Sequence, residues 1–192
     1  DPKMADQLPL EPWVKKTRWD AASLFYLKPL SGWGSQPRPR SANFNDSAAI
    51  YGASADFLMH LAARAHHSHP VEAGLARWLF DTLYIPCINQ GPHDRASFGF
   101  VNDFGFLTLT LLPRACKSLS PREAGLTELE TFSCGDVLLR DRWDNEGRTI
   151  IAIHGPGENL HGPGHLHGDI NSFILVHNQE RLLADPGHSC YR

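Results

Sequence analysis

The hydrophobic pattern of this chain changes its period partway along, and that change limits the folds open to it. Between residues 48 and 84 apolar side chains recur every three or four positions, whereas from Thr131 onward they come in short aliphatic runs broken by turn residues. A period near 3.6 builds amphipathic helices, and short runs rich in β-branched residues build strands. Helices first and strands later describe an α+β chain with segregated layers rather than an alternating α/β fold.

In the helical stretch Ile50, Ala53, Phe57, Leu58, Leu61 and Ala65 form one stripe from Ala48 to about Ala65, with Asn45, Asp46 and Ser47 as candidate cap side chains before it. Pro70 suits a first helical turn, and Val71, Leu75, Trp78, Leu79 and Leu83 make a second stripe. Two such helices joined by a short turn predict an antiparallel hairpin. His66, His67 and His69 then fall at a solvated helix end. Residues 1–45 are broken by Pro29, Gly32, Gly34, Pro37 and Pro39 and read as loop with one short helix around Trp19–Leu27. The segment 86–105 holds a polar turn, Gln90 to Arg95, followed by Phe98, Phe100 and Phe104. Its aromatic residues read as packing for a loop, and the alternative is a substrate-lining loop with Arg95 as an anion contact. Leu107–Leu112 fits a strand or a buried helix, and periodicity leaves both open.

The strands expected are Asp136–Arg140, Thr149–Ile153, Ser172–His177 and Arg181–Ala184. Asp144-Asn145-Glu146-Gly147 and Asn178-Gln179-Glu180 are the turns between neighbours. The organisation is then a helical part over 1–115, a linker over 116–130 and a strand-rich part over 131–192.

A net charge of −3 without a basic run argues against nucleic acid as a partner. No apolar run reaches the length that crosses a membrane. Cys87, Cys116, Cys134 and Cys190 form no Cys-x-x-Cys pair, which argues against a zinc knuckle and leaves two disulfides or four thiols open.

The chemistry-bearing residues concentrate near the end. On an extended segment His165 and His167 point the same way, Asp169 joins their face, and Asp185 arrives on the next strand. Imidazoles and carboxylates on adjacent strands can hold a divalent metal, or one imidazole can be left for proton transfer. Ile170 stands where the zinc motif of metallo-β-lactamase-type hydrolases needs a further His, and Asp169 lies too close to His167 to serve as the Glu of a cupin.

The run His165, His167, Asp169, Ser172, Phe173, then Leu182, Leu183, Asp185, Pro186, Gly187 and Tyr191 resembles the heparinase II/III-like polysaccharide lyases. The likeness is specific over about residues 131–192, where the strand Asp136–Arg140 and Trp143 match the entry into that family's sandwich, and diffuse over the helices. It implies the C-terminal part of an α/α toroid followed by the first strands of an antiparallel β-sandwich. It also implies a secreted or periplasmic enzyme that cleaves a uronic-acid-containing acidic polysaccharide by β-elimination. The roles it implies are His165 in the catalytic cleft and His167 with Asp185 on a structural zinc. Arg140 and Arg95 are candidate substrate-binding cations beside them. The family's third zinc ligand, its catalytic Tyr and its Asn/His pair find no match here. The chain therefore reads as a middle piece whose site is completed by a second chain or by the rest of a precursor. Uronate C5-epimerisation on the same scaffold, and a zinc-stabilised carbohydrate-binding fragment without activity, are the alternatives.

Overall fold

A computed structural model describes residues 10–28, 38–44, 53–85, 106–144, 149–155 and 170–185. The chain is α+β: a five-stranded antiparallel sheet follows the helices, and a short two-stranded ribbon lies among them. The first element is α1 (Glu11–Ala22), followed by a two-stranded ribbon of β1 (Phe25–Leu27) and β2 (Arg38–Arg40). Here the sequence expectation of a helix around Trp19–Leu27 is displaced. The helix begins eight residues earlier, with Pro12 in its first turn, and Phe25–Leu27 is extended. The reason is tertiary: α1 offers only a weak apolar stripe, and its residues are held by partners more than a hundred positions away.

The hairpin forms from α2 (Ala55–Arg64) and α3 (Pro70–Leu83). Pro70 opens α3 as expected, whereas α2 starts at a Ser54 cap and the candidate caps 45–47 lie outside the described residues. Ala62, Ala63, Ala65, Ala73 and Ala76, on or just beyond these helices, are all buried, so little side-chain volume separates the hairpin from its neighbours. Tyr84 Oη closes the open end by donating to the Ala53 carbonyl at 2.6 Å. His66 and His67 lie in the turn beyond α2, half-buried and exposed, the solvated end that was expected. Leu107–Leu112, open between strand and helix, is helix α4 (Phe106–Leu111) and then a short 3-10 turn. Its Thr108 binds Asp56 of α2 through both N–H and Oγ1.

The segment after α4 crosses the hairpin as an irregular strap. Cys116 N–H donates to the Ala62 carbonyl and Leu119 N–H to that of Gly74, each at 2.9 Å. Gly74 is required there, because a Cβ would stand 2.7 Å from Leu119 Cβ. Cys116 and Cys134 are both free thiols, and burial pushes each thiol pKa up.

Five strands follow in a meander: β3 (Leu129–Thr131), β4 (Val137–Arg140), β5 (Thr149–Ile153), β6 (Phe173–His177) and β7 (Glu180–Leu183). All four expected strands are present within a residue or two, and β3 is an addition whose three residues are too few to show a period. The sheet has two unlike faces. Leu138, Ile150, Ala152, Ile174 and Val176 are buried against the helical layer. On the other face the register sets Leu139, Ile151, Leu175 and Leu183 in one row across four strands, and Val137, Ile153 and Phe173 in the next. Phe173 is 49 % exposed and Leu183 45 %. Rows of aliphatic side chains on an outward face are the surface on which a second sheet packs. This chain alone is expected to self-associate and to bind a hydrophobic dye, and changing Ile151 and Leu175 together to Thr to weaken both. A dye-silent monomer in sedimentation would contradict the expectation.

Within the hairpin, His60 of α2 is 5 % exposed and neither ring nitrogen has a hydrogen-bond partner among the described residues. Burial lowers its pKa, so the folded ring is neutral. The unfolded ring takes a proton near its ordinary value of 6.5, so the unfolded state binds more protons below that pH. The stability tied to a neutral His60 is therefore complete above about pH 6.5 and is lost as pH falls through the lowered folded value. His60→Leu is expected to add about 1–2 kcal/mol at neutral pH and to flatten this acid-side loss, as read by denaturant melts between pH 5 and 8.

Candidate functional site

The two layers meet at one end of the sheet around a single carboxylate. Asp136 directly precedes β4, and the pairing of Val137 with Ile153 brings it beside His154 at the end of β5. Its side chain is 7 % exposed. Oδ2 accepts the indole N–H of Trp19 from α1 at 2.8 Å. Oδ1 accepts Nδ1 of His154 and the backbone N–H of Gly155, both at 2.9 Å. Three donors from two distant parts of the chain thus satisfy one buried carboxylate, the condition under which such a group is tolerated.

Two glycines permit this approach. Gly135 sits at φ +86°, in the left-handed region that residues with a Cβ rarely adopt. A Cβ on Gly155 would stand 2.0 Å from the carbonyl carbon and oxygen of Gly135, so the two backbones are in direct contact. The His154 ring is held on its flat side as well, stacked on Phe44 with centroids 4.9 Å apart and planes 19° apart.

The stems of the segment 156–169 are built into the same corner. His154 N–H donates to the Ser172 carbonyl, and Asn171 N–H donates to the His154 carbonyl, each at 2.9 Å. Asn171 adopts φ +67°, a turn conformation that Asn tolerates. The stretch carrying His165, His167 and Asp169 therefore leaves the sheet at Gly155 and rejoins it before Asn171. Those three residues, like Arg95, lie outside the described residues.

Asp185 is described. It is 7 % exposed, just beyond β7, and its backbone carbonyl accepts Nδ2 of Asn43 at 3.1 Å. Asn43 and Phe44 are consecutive, so one dipeptide touches Asp185 on one side and His154 on the other. Asn43 is 1 % exposed, yet its Oδ1 has no hydrogen-bond partner among the described residues, nor has Ser172 Oγ. Buried polar atoms without partners are costly, and two of them belong to residues that flank the Asp185 and His154 backbones. Among the described residues no group of three or more His, Cys, Asp or Glu side chains is gathered for a metal.

Arg140 lies elsewhere. Its Nη2 donates to the Ala22 and Leu24 carbonyls at 2.5 and 2.8 Å, and its guanidinium lies 3.8 Å over the Trp143 ring. Burial lowers its pKa to about 10, so it stays cationic at neutral pH. The guanidinium acts as a strut that meets the carbonyl end of α1, where a cation is favoured. It lines a shallow cleft with Tyr26, Trp78 and Trp143.

Asp136 and His154 are the residues that sequence reasoning passed over. The signal was present: an Asp just before one strand and a His just after its antiparallel neighbour meet when the intervening pairing is in register.

No protein-family model, no curated protein and no solved structure matches the chain. No described helix is long and apolar enough to cross a membrane.

Arg140→Ala is expected to cost about 2–4 kcal/mol in chemical denaturation, because two buried carbonyls lose a charged donor. Unchanged stability with weakened binding of a uronic acid polymer would instead assign Arg140 to the ligand.

Proposed function

We propose that the chain is part of a secreted or periplasmic polysaccharide lyase that cleaves a uronic-acid-containing acidic polysaccharide by β-elimination. One observation carries the reading beyond the sequence resemblance. The meander brings both stems of the His165–His167 segment and the residue before the Pro186-Gly187 turn to one polar corner, beside the helical layer. The described residues that flank these segments, Gly155, Ile170 and Asp185, all lie at this end of the sheet, which supports the reading.

The chemistry calls for such a corner. The C5 proton of a uronate is weakly acidic while the carboxylate beside it is charged. Donors at that carboxylate stabilise the enolate-like charge that develops. A base then takes the proton and an acid protonates the leaving oxygen. His165 fits as donor or acid, and Arg95 as a cation for the sugar.

His167 and Asp185 would hold a structural zinc, a nitrogen and an oxygen donor of the kind this ion accepts. Asp185 suits a ligand because it is buried and its backbone is pinned by Asn43. Further ligands would come from outside the described residues. Bound there, zinc would contribute folding free energy by tying the His167 segment to the end of β7. The apolar outer face of the sheet supports a partner, either a second chain or the remainder of a precursor, that covers it and completes the site.

The intact assembly is expected to release products that absorb in the near ultraviolet from a new C4=C5 double bond when given a glycosaminoglycan or an alginate. His165→Ala should lower that rate by on the order of a hundredfold or more, with zinc still bound. Absence of unsaturated product from every uronan would sink the lyase reading. Deuterium entering C5 without chain cleavage would move the assignment to a C5-epimerase.

A further inference from the structure

We propose that His66 and His67, in the turn between α2 and α3, form a metal site for a borderline divalent transition ion, Zn²⁺, Ni²⁺ or Cu²⁺. The site is separate from the His167 and Asp185 zinc and does not rest on the lyase reading. The two rings lie together, with centroids 3.9 Å apart and planes tilted by 47°. Consecutive residues on a regular helix do not face each other. These two meet because α2 ends at Arg64 and the backbone turns there.

His66 is prepared as a ligand. Its Nδ1 lies 3.0 Å from the Ala63 carbonyl, which can only accept, so Nδ1 carries the hydrogen and Nε2 carries the lone pair. A metal-ligating imidazole characteristically donates its other N–H to a backbone carbonyl or a carboxylate, which fixes both tautomer and ring orientation. The corner is braced: the adjacent Ala62 carbonyl accepts the Cys116 N–H of the strap at 2.9 Å. The His67 side chain is exposed. Neither Nε2 of His66 nor either ring nitrogen of His67 has a hydrogen-bond partner among the described residues, and none of the three is sealed from water.

The chemistry of the donors selects the ion. Imidazole nitrogen suits zinc, nickel and copper, whereas magnesium and calcium take oxygen. The carbonyls at the end of α2 add partial negative charge, which favours a cation. Metal–nitrogen bonds of about 2.1 Å set the centroids of two imidazoles that share an ion roughly 4.5–5 Å apart. The rings therefore open slightly on binding, and the exposed His67 ring turns to do so, a motion that surface side chains make freely. Two protein ligands leave the remaining positions to water, so the ion is exchangeable and open to a further ligand.

The competing role is a plain helix end, with His66 capping the Ala63 carbonyl and His67 a surface residue. A titration of the intact assembly with Cu²⁺, followed by electron paramagnetic resonance, separates the two. Cu²⁺ is the probe because it is the first-row ion that nitrogen donors hold most tightly. The wild type is expected to take up one ion that His67→Gln lacks, with coupling to two imidazole nitrogens in its signal. His66→Asn keeps a side-chain N–H for the Ala63 carbonyl and removes Nε2. It should weaken this ion by about tenfold or more with an unchanged melting temperature, a loss that capping alone does not produce. His67→Gln with wild-type uptake and the same nitrogen coupling overturns the site, as does a wild type that binds no such ion. If His66→Asn melts early, His67→Gln alone decides, since its change is on an exposed side chain. Whether the assembly cleaves a uronan has no bearing on any of these outcomes.

Discussion

The joint between the two layers depends on the Asp136 carboxylate. Water is almost wholly excluded from it, and its charge is matched by an indole N–H from α1, an imidazole N–H from the end of β5 and a backbone N–H at Gly155. A buried carboxylate is destabilising unless its lone pairs are used, so the three donors are constrained together. That constraint sets where α1 lies against the sheet, and it sets the point from which the histidine-bearing segment departs. The glycines at 135 and 155 follow from it, because the carboxylate reaches the Gly155 N–H only where the two backbones touch.

The parts of the fold that could be read from sequence are those with strong local signals. The α3 stripe from Val71 to Leu83 and the aliphatic runs at 149–153 and 173–177 carry their period in consecutive residues, and they form as read. α1 was misplaced because its helix is supported by contacts far along the chain, Trp19 with Asp136 and the Ala22 carbonyl with Arg140. β3 is three residues long and has no period to detect. At the site, Asp185 was singled out on the last strand, and it is buried two residues beyond the end of β7. Asp136 and His154 stand eighteen positions apart, and only the register between β4 and β5 joins them. Arg140 was a candidate cation for the sugar, and the structure gives it two backbone carbonyls and the Trp143 ring, partners that no residue type announces.

The faces of the sheet divide the work. The inner face grades from aliphatic in the middle, at Ile150, Ile174 and Val176, to polar at the His154 end. A buried aliphatic floor keeps strands in register, because a slip by one residue would turn every inner side chain outward. The polar corner borrows that rigidity: His154 sits one residue beyond a strand locked between two neighbours rather than on a free loop. The outer rows of Leu139, Ile151, Leu175 and Leu183 complete the same logic from the other side.

The long reach of the ties between layers also sets an order for the birth of the molecule. Each strand of the meander bonds to its neighbour in sequence, so the sheet can zip up locally as it emerges. The ties that seat α1 and the 38–44 segment on the sheet span 117, 118 and 142 residues. During synthesis these ties form only after β4 and then β7 have left the ribosome, whereas α1 meets the hairpin earlier, through Trp13 on Phe57 and Arg18 with Glu72. The corner that holds His154 is therefore complete only once the last strand has emerged and Asn43 has met Asp185.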